Sequence, residues 1–391
     1  MKLLHFNLDI SGVENGRLEL ADNSKLLLFQ HDPSWFDILD FENDSIFLEP
    51  QLFYYFRSLF CNISNFMSLD QIFYGYLPSE KQKKRMNVWM DNQGIIYLPN
   101  IGYFFTNLNG NKYVEIELID SNTKIILSNE IYKLFPIAYT KNKKFQINLL
   151  NSPIFEELNV IHDASHLEAS KKSLSAFEEG LGFIEKYCSH FYETISMTTK
   201  EFSFFESSNY HSFAALHHFG TSFLNTKGNT DNPIFFLDDI AHQAGHVLFY
   251  SLTHSTEIFL KPNGNTLLKE FSGIESEDRT IYSAFHGLFT YTTILHCLDT
   301  CYRAKNISDP QKEEILARIG YICSKFEKDL IVQNNSEVFT HKGREYFDAF
   351  QSGFNHIKQI YVPTTKEFDY SNQGYEFSFL KFQQVNQRIT V

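Results

Sequence analysis

Leu174-Ser-Ala-Phe177-Glu-Glu-Gly-Leu181-Gly-Phe-Ile184-Glu-Lys-Tyr-Cys188-Ser-His-Phe191-Tyr-Glu-Thr-Ile195 is the stretch where the hydropathic period of this chain changes. Its numbered residues recur at spacings of three and four, which makes one long helical face. Upstream, Tyr113-Val-Glu-Ile-Glu-Leu-Ile119 alternates apolar and acidic side chains, the period of a half-buried strand. Asn109-Gly110, which follows the apolar run 101–105, reads as a hairpin turn, and Lys124–Leu127 offers a third strand. One helix is expected near residues 49–66. Downstream, residues 213–224 and 234–237 read as short strands leading into a helix from about Asp238. A further helix is expected to start near Ser276 as cap, with Glu277 and Asp278 complementing its dipole. Asp309-Pro310 opens another as cap and first position, and a last one spans residues 343–361. No internal repeat or low-complexity linker interrupts this order. The fold expected is α+β, with a β-rich N-terminal region over residues 1–150 and a mainly α-helical domain over residues 151–391.

The 391 residues carry 47 acidic against 34 basic side chains, a formal charge of −13. The only basic clusters are the short stretches 81–85 and 141–144, so the chain repels phosphate backbones and nucleic acid is excluded as a partner. Aromatics reach 16%, with 40 Phe and 21 Tyr, enough for a large core without disulfide or metal staples. The five cysteines are odd in number and scattered, a pattern that fits a reducing compartment. The first residues lack the apolar core and cleavage site of a signal peptide. The longest apolar run, 281–298, is broken by His286, His296 and several Thr, and reads as a buried helix rather than a membrane span. A cytoplasmic protein is expected.

Chemistry concentrates in the histidines. Asp238-Asp-Ile-Ala-His242-Gln-Ala-Gly-His246-Val-Leu-Phe places two imidazoles four residues apart, on one helical face and within reach of one ion. Spacing alone is weak, because random placement of 15 His gives roughly 0.6 such pairs. A second pair, His162 and His166, sits among Asp163, Ser165 and Glu168 and reads as a solvated helix start. The first pair lies among Ile240, Val247, Leu248 and Phe249, and Gly245 between them allows another backbone close approach. His286, again in apolar surroundings and beside a glycine, is the third candidate ligand. Arg279, seven residues before it, reads as a cation two turns down the same face; the alternative is a surface arginine paired with Glu275 or Glu277. His211, His217 and His218 read as core or edge positions, His254, His296, His341 and His356 as ordinary residues, and Cys297 and Cys301 as buried apolar ones.

The segment His242-Gln-Ala-Gly-His246 and the later Glu277-Asp-Arg279-Thr-Ile-Tyr-Ser-Ala-Phe-His286-Gly together resemble the 2-oxoglutarate-dependent HExxH-type peptide β-hydroxylases, which modify ribosomally made peptides. The order and the Arg-to-His-Gly spacing agree over roughly residues 160–300. Gln243 stands where that family has Glu, and prolines around Arg279 are absent. The resemblance implies Fe(II) held by His242, His246 and His286, with 2-oxoglutarate and O2 as co-substrates. Arg279 would take the distal carboxylate of 2-oxoglutarate, and a precursor peptide would be hydroxylated at a side-chain β-carbon, with residues 1–150 helping to hold it on an open strand edge. Gln243 cannot act as the general base of a metallopeptidase, whereas an oxygenase needs no base there. Three neutral histidines also describe a zinc site, which leaves open a zinc-dependent hydrolase or lyase and a non-catalytic peptide-binding protein with a degenerate site. Asp278 or Asp299 could replace His286 as ligand.

Overall fold

The computed structural model describes residues 10–63 and 66–386. It is α+β, with a β-rich N-terminal region followed by a mainly helical C-terminal region. The chain divides into two compact units that interleave: residues 17–175 with 196–231, and, of the described residues, 10–16 with 176–195 and 232–386. The division therefore differs from the boundary expected near residue 150.

The first unit contains all the strands found among the described residues, in three sheets. One sheet has the order Arg85–Met90, Lys112–Ile119, Lys124–Leu127, Glu130–Lys133, all antiparallel. Its inward positions, among them Val88, Ile116, Leu118 and Ile125, build an apolar core with Ile96, Leu98 and Phe104. The hairpin expected at Asn109-Gly110 does not form. Gly102–Phe105 pairs instead with Ile95–Leu98 and Phe135–Pro136, while Lys112–Ile119 pairs with Arg85–Met90. The third sheet places Gln146–Asn148, Glu201–Phe205 and Thr221–Asn225 in parallel. All three of those strands are buried throughout, as parallel strands covered on both faces are, so they lack the alternation that marks half-exposed strands. Glu201–Phe205 therefore carries no period-2 signature in the sequence. The region is also less purely β than expected. The 22-residue helix Ile10–His31 opens the described chain; it buries Val13, Ala21 and Leu28 but exposes Leu18, Leu26 and Phe29, and so carries no clean stripe. The helix expected at 49–66 is Pro50–Phe60.

The second unit is helical, with two isolated bridges and no strand among its described residues. Residues 234–237 belong to the helix Pro233–Leu252 and not to a strand. Asn232 caps it by accepting from the Ile234 and Phe235 amides, and Pro233 fills the first position. The run is apolar because this helix is buried nearly all round, which erases its period. The next long helix is Ile281–Tyr302, capped by Thr280 instead of Ser276. Helices Asp309–Gln333, with a Ser308–Gln311 capping box, and His341–Thr365 follow. The long face over 174–195 is split between His166–Tyr187 and Ser189–Thr198, with the break at Cys188. Gly245 lets in a side chain and not a backbone: a Cβ there would meet Thr293 Oγ1 at 2.8 Å, the hydroxyl that donates to the Ala241 carbonyl at 2.8 Å. Among the described residues no helix is long and apolar enough to cross a membrane.

Candidate metal centre

His242 and His246 face the same way from Pro233–Leu252, their ring centroids 5.0 Å apart, and His286 reaches them from Ile281–Tyr302. The His246 and His286 rings lie nearly parallel at 17°, with centroids 5.4 Å apart, and their Nδ1 atoms are separated by 3.1 Å. Two nitrogens bound to one ion at about 2.1 Å, subtending 90–109°, lie roughly 3.0–3.4 Å from each other. The 3.1 Å separation therefore fits one edge of a coordination polyhedron. As the rings stand, no three His, Cys, Asp or Glu donors among the described residues close around a point. His246 and His286 form the edge, and His242 stands one turn along the helix.

The surroundings select the neutral imidazole. His286 is buried against Phe249, Tyr250 and Tyr282, and its Nε2 is buried without a hydrogen-bond partner. Tyr282 is fixed by a 2.7 Å hydrogen bond shared with Thr253 Oγ1. Burial, with a smaller contribution from the Lys325 charge, lowers the His242 pKa to about 4. Burial, and then the charge of its neighbouring histidine, holds both His246 and His286 well below the usual range. All three are lone-pair donors at neutral pH, the form a metal requires. Gln243 is buried and donates from Nε2 to Asp239 Oδ1 at 3.2 Å, one turn back along its own helix.

Arg279 lies outside the helix that carries His286, which starts two residues later, so the two do not share a helical face. Its guanidinium is already engaged by two carboxylates. Nε and Nη2 donate to Glu277 at 2.8 and 2.6 Å, and Nη1 and Nη2 donate to Asp329 at 2.7 and 2.9 Å. Asp278 is exposed and paired with Lys269 at 2.9 Å, and Asp299 is bonded to Arg303 and, at 2.7 Å, to the Tyr361 hydroxyl. Neither is drawn to the histidines. A cation that sequence reasoning missed, Lys325, donates to the Tyr375 carbonyl at 3.0 Å and sits 4.2 Å above the Tyr375 ring. Burial lowers its pKa, its charge is felt at His242, and it makes no ion pair among the described residues. Its helix, Asp309–Gln333, carries no motif that would have flagged it.

The His162–His166 pair is not a solvated helix start. His166 is fully buried, with Nε2 3.3 Å from Asn151 Oδ1 and Nδ1 3.5 Å from Ser203 Oγ. His218, on a 3-10 turn, is likewise buried between Ser152 and Thr221, as core placement requires. Cys297 and Cys301 are buried, and burial holds the Cys297 thiol above its usual range. Neither a protein-family model nor a curated protein matches the chain.

Proposed function

We propose that the chain is a metal-dependent oxygenase that hydroxylates a peptide side chain at its β-carbon, using Fe(II), 2-oxoglutarate and O2. The observation that carries this reading is the His246–His286 nitrogen edge of 3.1 Å beside His242, on three imidazoles kept neutral by burial. The donor set fits the ion, and the buried Nε2 of His286, which has no hydrogen-bond partner, leaves a further donor free for it. Iron(II), when bound, supplies the redox partner for dioxygen. The net change consumes 2-oxoglutarate, O2 and a C–H bond, and yields succinate, CO2 and a C–OH bond. The protein's part is to hold the ion, exclude water with Phe249, Tyr250 and Tyr282, and meet the far carboxylate of the co-substrate with a cation. For that last role Arg279 must first give up Glu277 or Asp329, whereas Lys325 has no carboxylate to release.

Three neutral histidines equally suit zinc, which favours a hydrolase as the second reading; Gln243, bonded to Asp239, supplies no base for it. Anaerobic purification, metal analysis and mass spectrometry of peptides co-expressed with the protein test both. Bound iron, 2-oxoglutarate consumption and a peptide one oxygen heavier are expected. Bound zinc with peptide cleavage overturns the oxygenase, and no metal at all leaves a peptide-binding protein.

A further inference from the structure

Lys200 precedes the buried strand Glu201–Phe205, and its ammonium is held by Glu49 and by the Tyr76 hydroxyl at 2.9 Å. Tyr76 in turn donates to Glu49 at 2.6 Å. Burial disfavours the lysine's charge, but Glu49 and Tyr76 outweigh it, so the ammonium stays charged. Beside this triad opens a cavity of about 340 Å³, whose lining includes Arg17, Lys144 and Lys200 and, among the described residues, no carboxylate. In a chain of net charge −13 that is a local reversal of sign. Glu49 neutralises Lys200, while Arg17 makes no ion pair among the described residues.

Three polar atoms of residues that line the cavity are buried and lack any hydrogen-bond partner: Arg17 Nε, Gln146 Oε1 and Thr199 Oγ1. Thr199 is 3% exposed and Gln146 9%. More than about 90% of buried polar groups in folded proteins are satisfied, so three orphans on one cavity need a common cause. Arg17 asks for an anion, Gln146 Oε1 asks for an N–H or O–H, and Thr199 accepts either role. The volume lies at the lower end of the roughly 300–1,000 Å³ range of small-molecule sites.

We propose that this cavity binds a small organic anion that carries its own hydrogen-bond donor, such as an amino acid or a phosphate monoester, at a site other than the three histidines. It stands independently of the oxygenase reading. The test uses the full-length protein with two probes, inorganic phosphate and L-glutamate, against sodium chloride at equal ionic strength. Calorimetry and the thermal midpoint are the readouts. Saturable binding of at least one probe, with a Kd below about 1 mM, is expected. A response to phosphate alone identifies the phosphate class, and a response to glutamate identifies the carboxylate class. Arg17→Gln and Thr199→Val each weaken binding at least tenfold. Without ligand, Thr199→Val melts no lower than the wild type, because the hydroxyl it removes bonds nothing. Three results overturn the proposal: neither probe binding, both variants binding as the wild type does, or Thr199→Val melting several degrees lower through loss of a structural hydroxyl.

Discussion

His162 with His166 and His242 with His246 share a four-residue spacing and the same centroid separation of 5.0 Å, yet the fold treats them differently. The first pair packs on Phe155, and His166 has an amide and a hydroxyl at its two nitrogens, while both nitrogens of His162 are buried without a hydrogen-bond partner. The second has another imidazole facing it at 3.1 Å. A histidine whose nitrogens are met by side-chain hydrogen-bond partners is finished as structure. One whose nitrogen faces a second imidazole nitrogen holds either a hydrogen bond from the Nδ1–H tautomer of one neutral ring or an ion between them, and burial rules out only the doubly protonated ring.

The largest expected effect follows directly. His246→Ala and His286→Ala should weaken metal retention more than the 10–100-fold typical of outer-sphere losses, so content measured after anaerobic Fe(II) loading falls to background. His166→Ala should keep its metal and instead lose about 2–4 kcal/mol of stability, from a buried void and an Asn151 left unpaired. If a folded His166→Ala protein loses its metal as His246→Ala does, the contrast between the pairs collapses.

Acid should test what the pairs have in common. Burial, with a smaller contribution from His162, lowers the His166 pKa to about 3, and burial with His217 does the same to His218. Such groups stay neutral in the native state while the unfolded chain takes up protons below the ordinary value of 6.5. Stability is therefore full above 6.5 and is lost as pH falls toward 3, by about 2 kcal/mol per histidine between roughly pH 6.5 and pH 5. Glu201, raised to about 7 by burial and then by Glu49, has the opposite sign: its contribution is present below 4.5 and lost as pH rises through 7. The buried histidines outnumber it, so denaturant unfolding of metal-free protein should show a net loss in acid. A flat profile would mean that these rings are not held neutral.

A smaller effect separates the two cations. Arg279→Leu leaves Glu277 and Asp329 without their partner and should cost about 1 kcal/mol, modest because the arginine is 37% exposed. Lys325→Met should raise the 2-oxoglutarate requirement at least tenfold, about 1.4 kcal/mol, with metal content unchanged. The opposite pattern, a tenfold rise for Arg279→Leu alone, would return the role to the position the family resemblance gave it.

What the sequence disclosed follows from which forces leave a local trace. The half-exposed strand Lys112–Ile119 and the helices Asp309–Gln333 and His341–Thr365 were legible, because solvent on one face leaves a period; their caps were not, since Ser308 and not Asp309 caps the first and Thr340 caps the second. Buried elements were not: 234–237 looks like a strand because its helix is covered nearly all round, and Glu201–Phe205 shows no alternation. His242, His246 and His286 were found through spacing and apolar context. Lys325 and the carboxylates that hold Arg279 depend on Asp309–Gln333, and their proximity leaves no mark near residue 286.

Gln243→Glu should have the least effect on metal content and turnover and sharpens the contrast most finely, since it restores the acidic residue of the HExxH pattern inside the metal-binding pair. In the native protein Gln243 Nε2 donates to Asp239 Oδ1 at 3.2 Å in a nearly solvent-free position. A glutamate there faces a carboxylate in place of an acceptor it can satisfy, and two buried like charges at that range do not both ionise. The new side chain should hold its proton and donate through O–H where the amide donated through N–H. Its folded pKa is then raised, so its stability contribution is present below the unfolded value and is lost as pH rises through the folded one. The variant should match the wild type near about pH 5 and be weaker by about 1–2 kcal/mol near about pH 8, in denaturant unfolding. A protonated acid is no base, so peptide cleavage should not appear, and metal content and hydroxylation should persist. Cleavage by the variant would show that residue 243 reaches the ion's water after all, and that the zinc reading was set aside for the wrong reason.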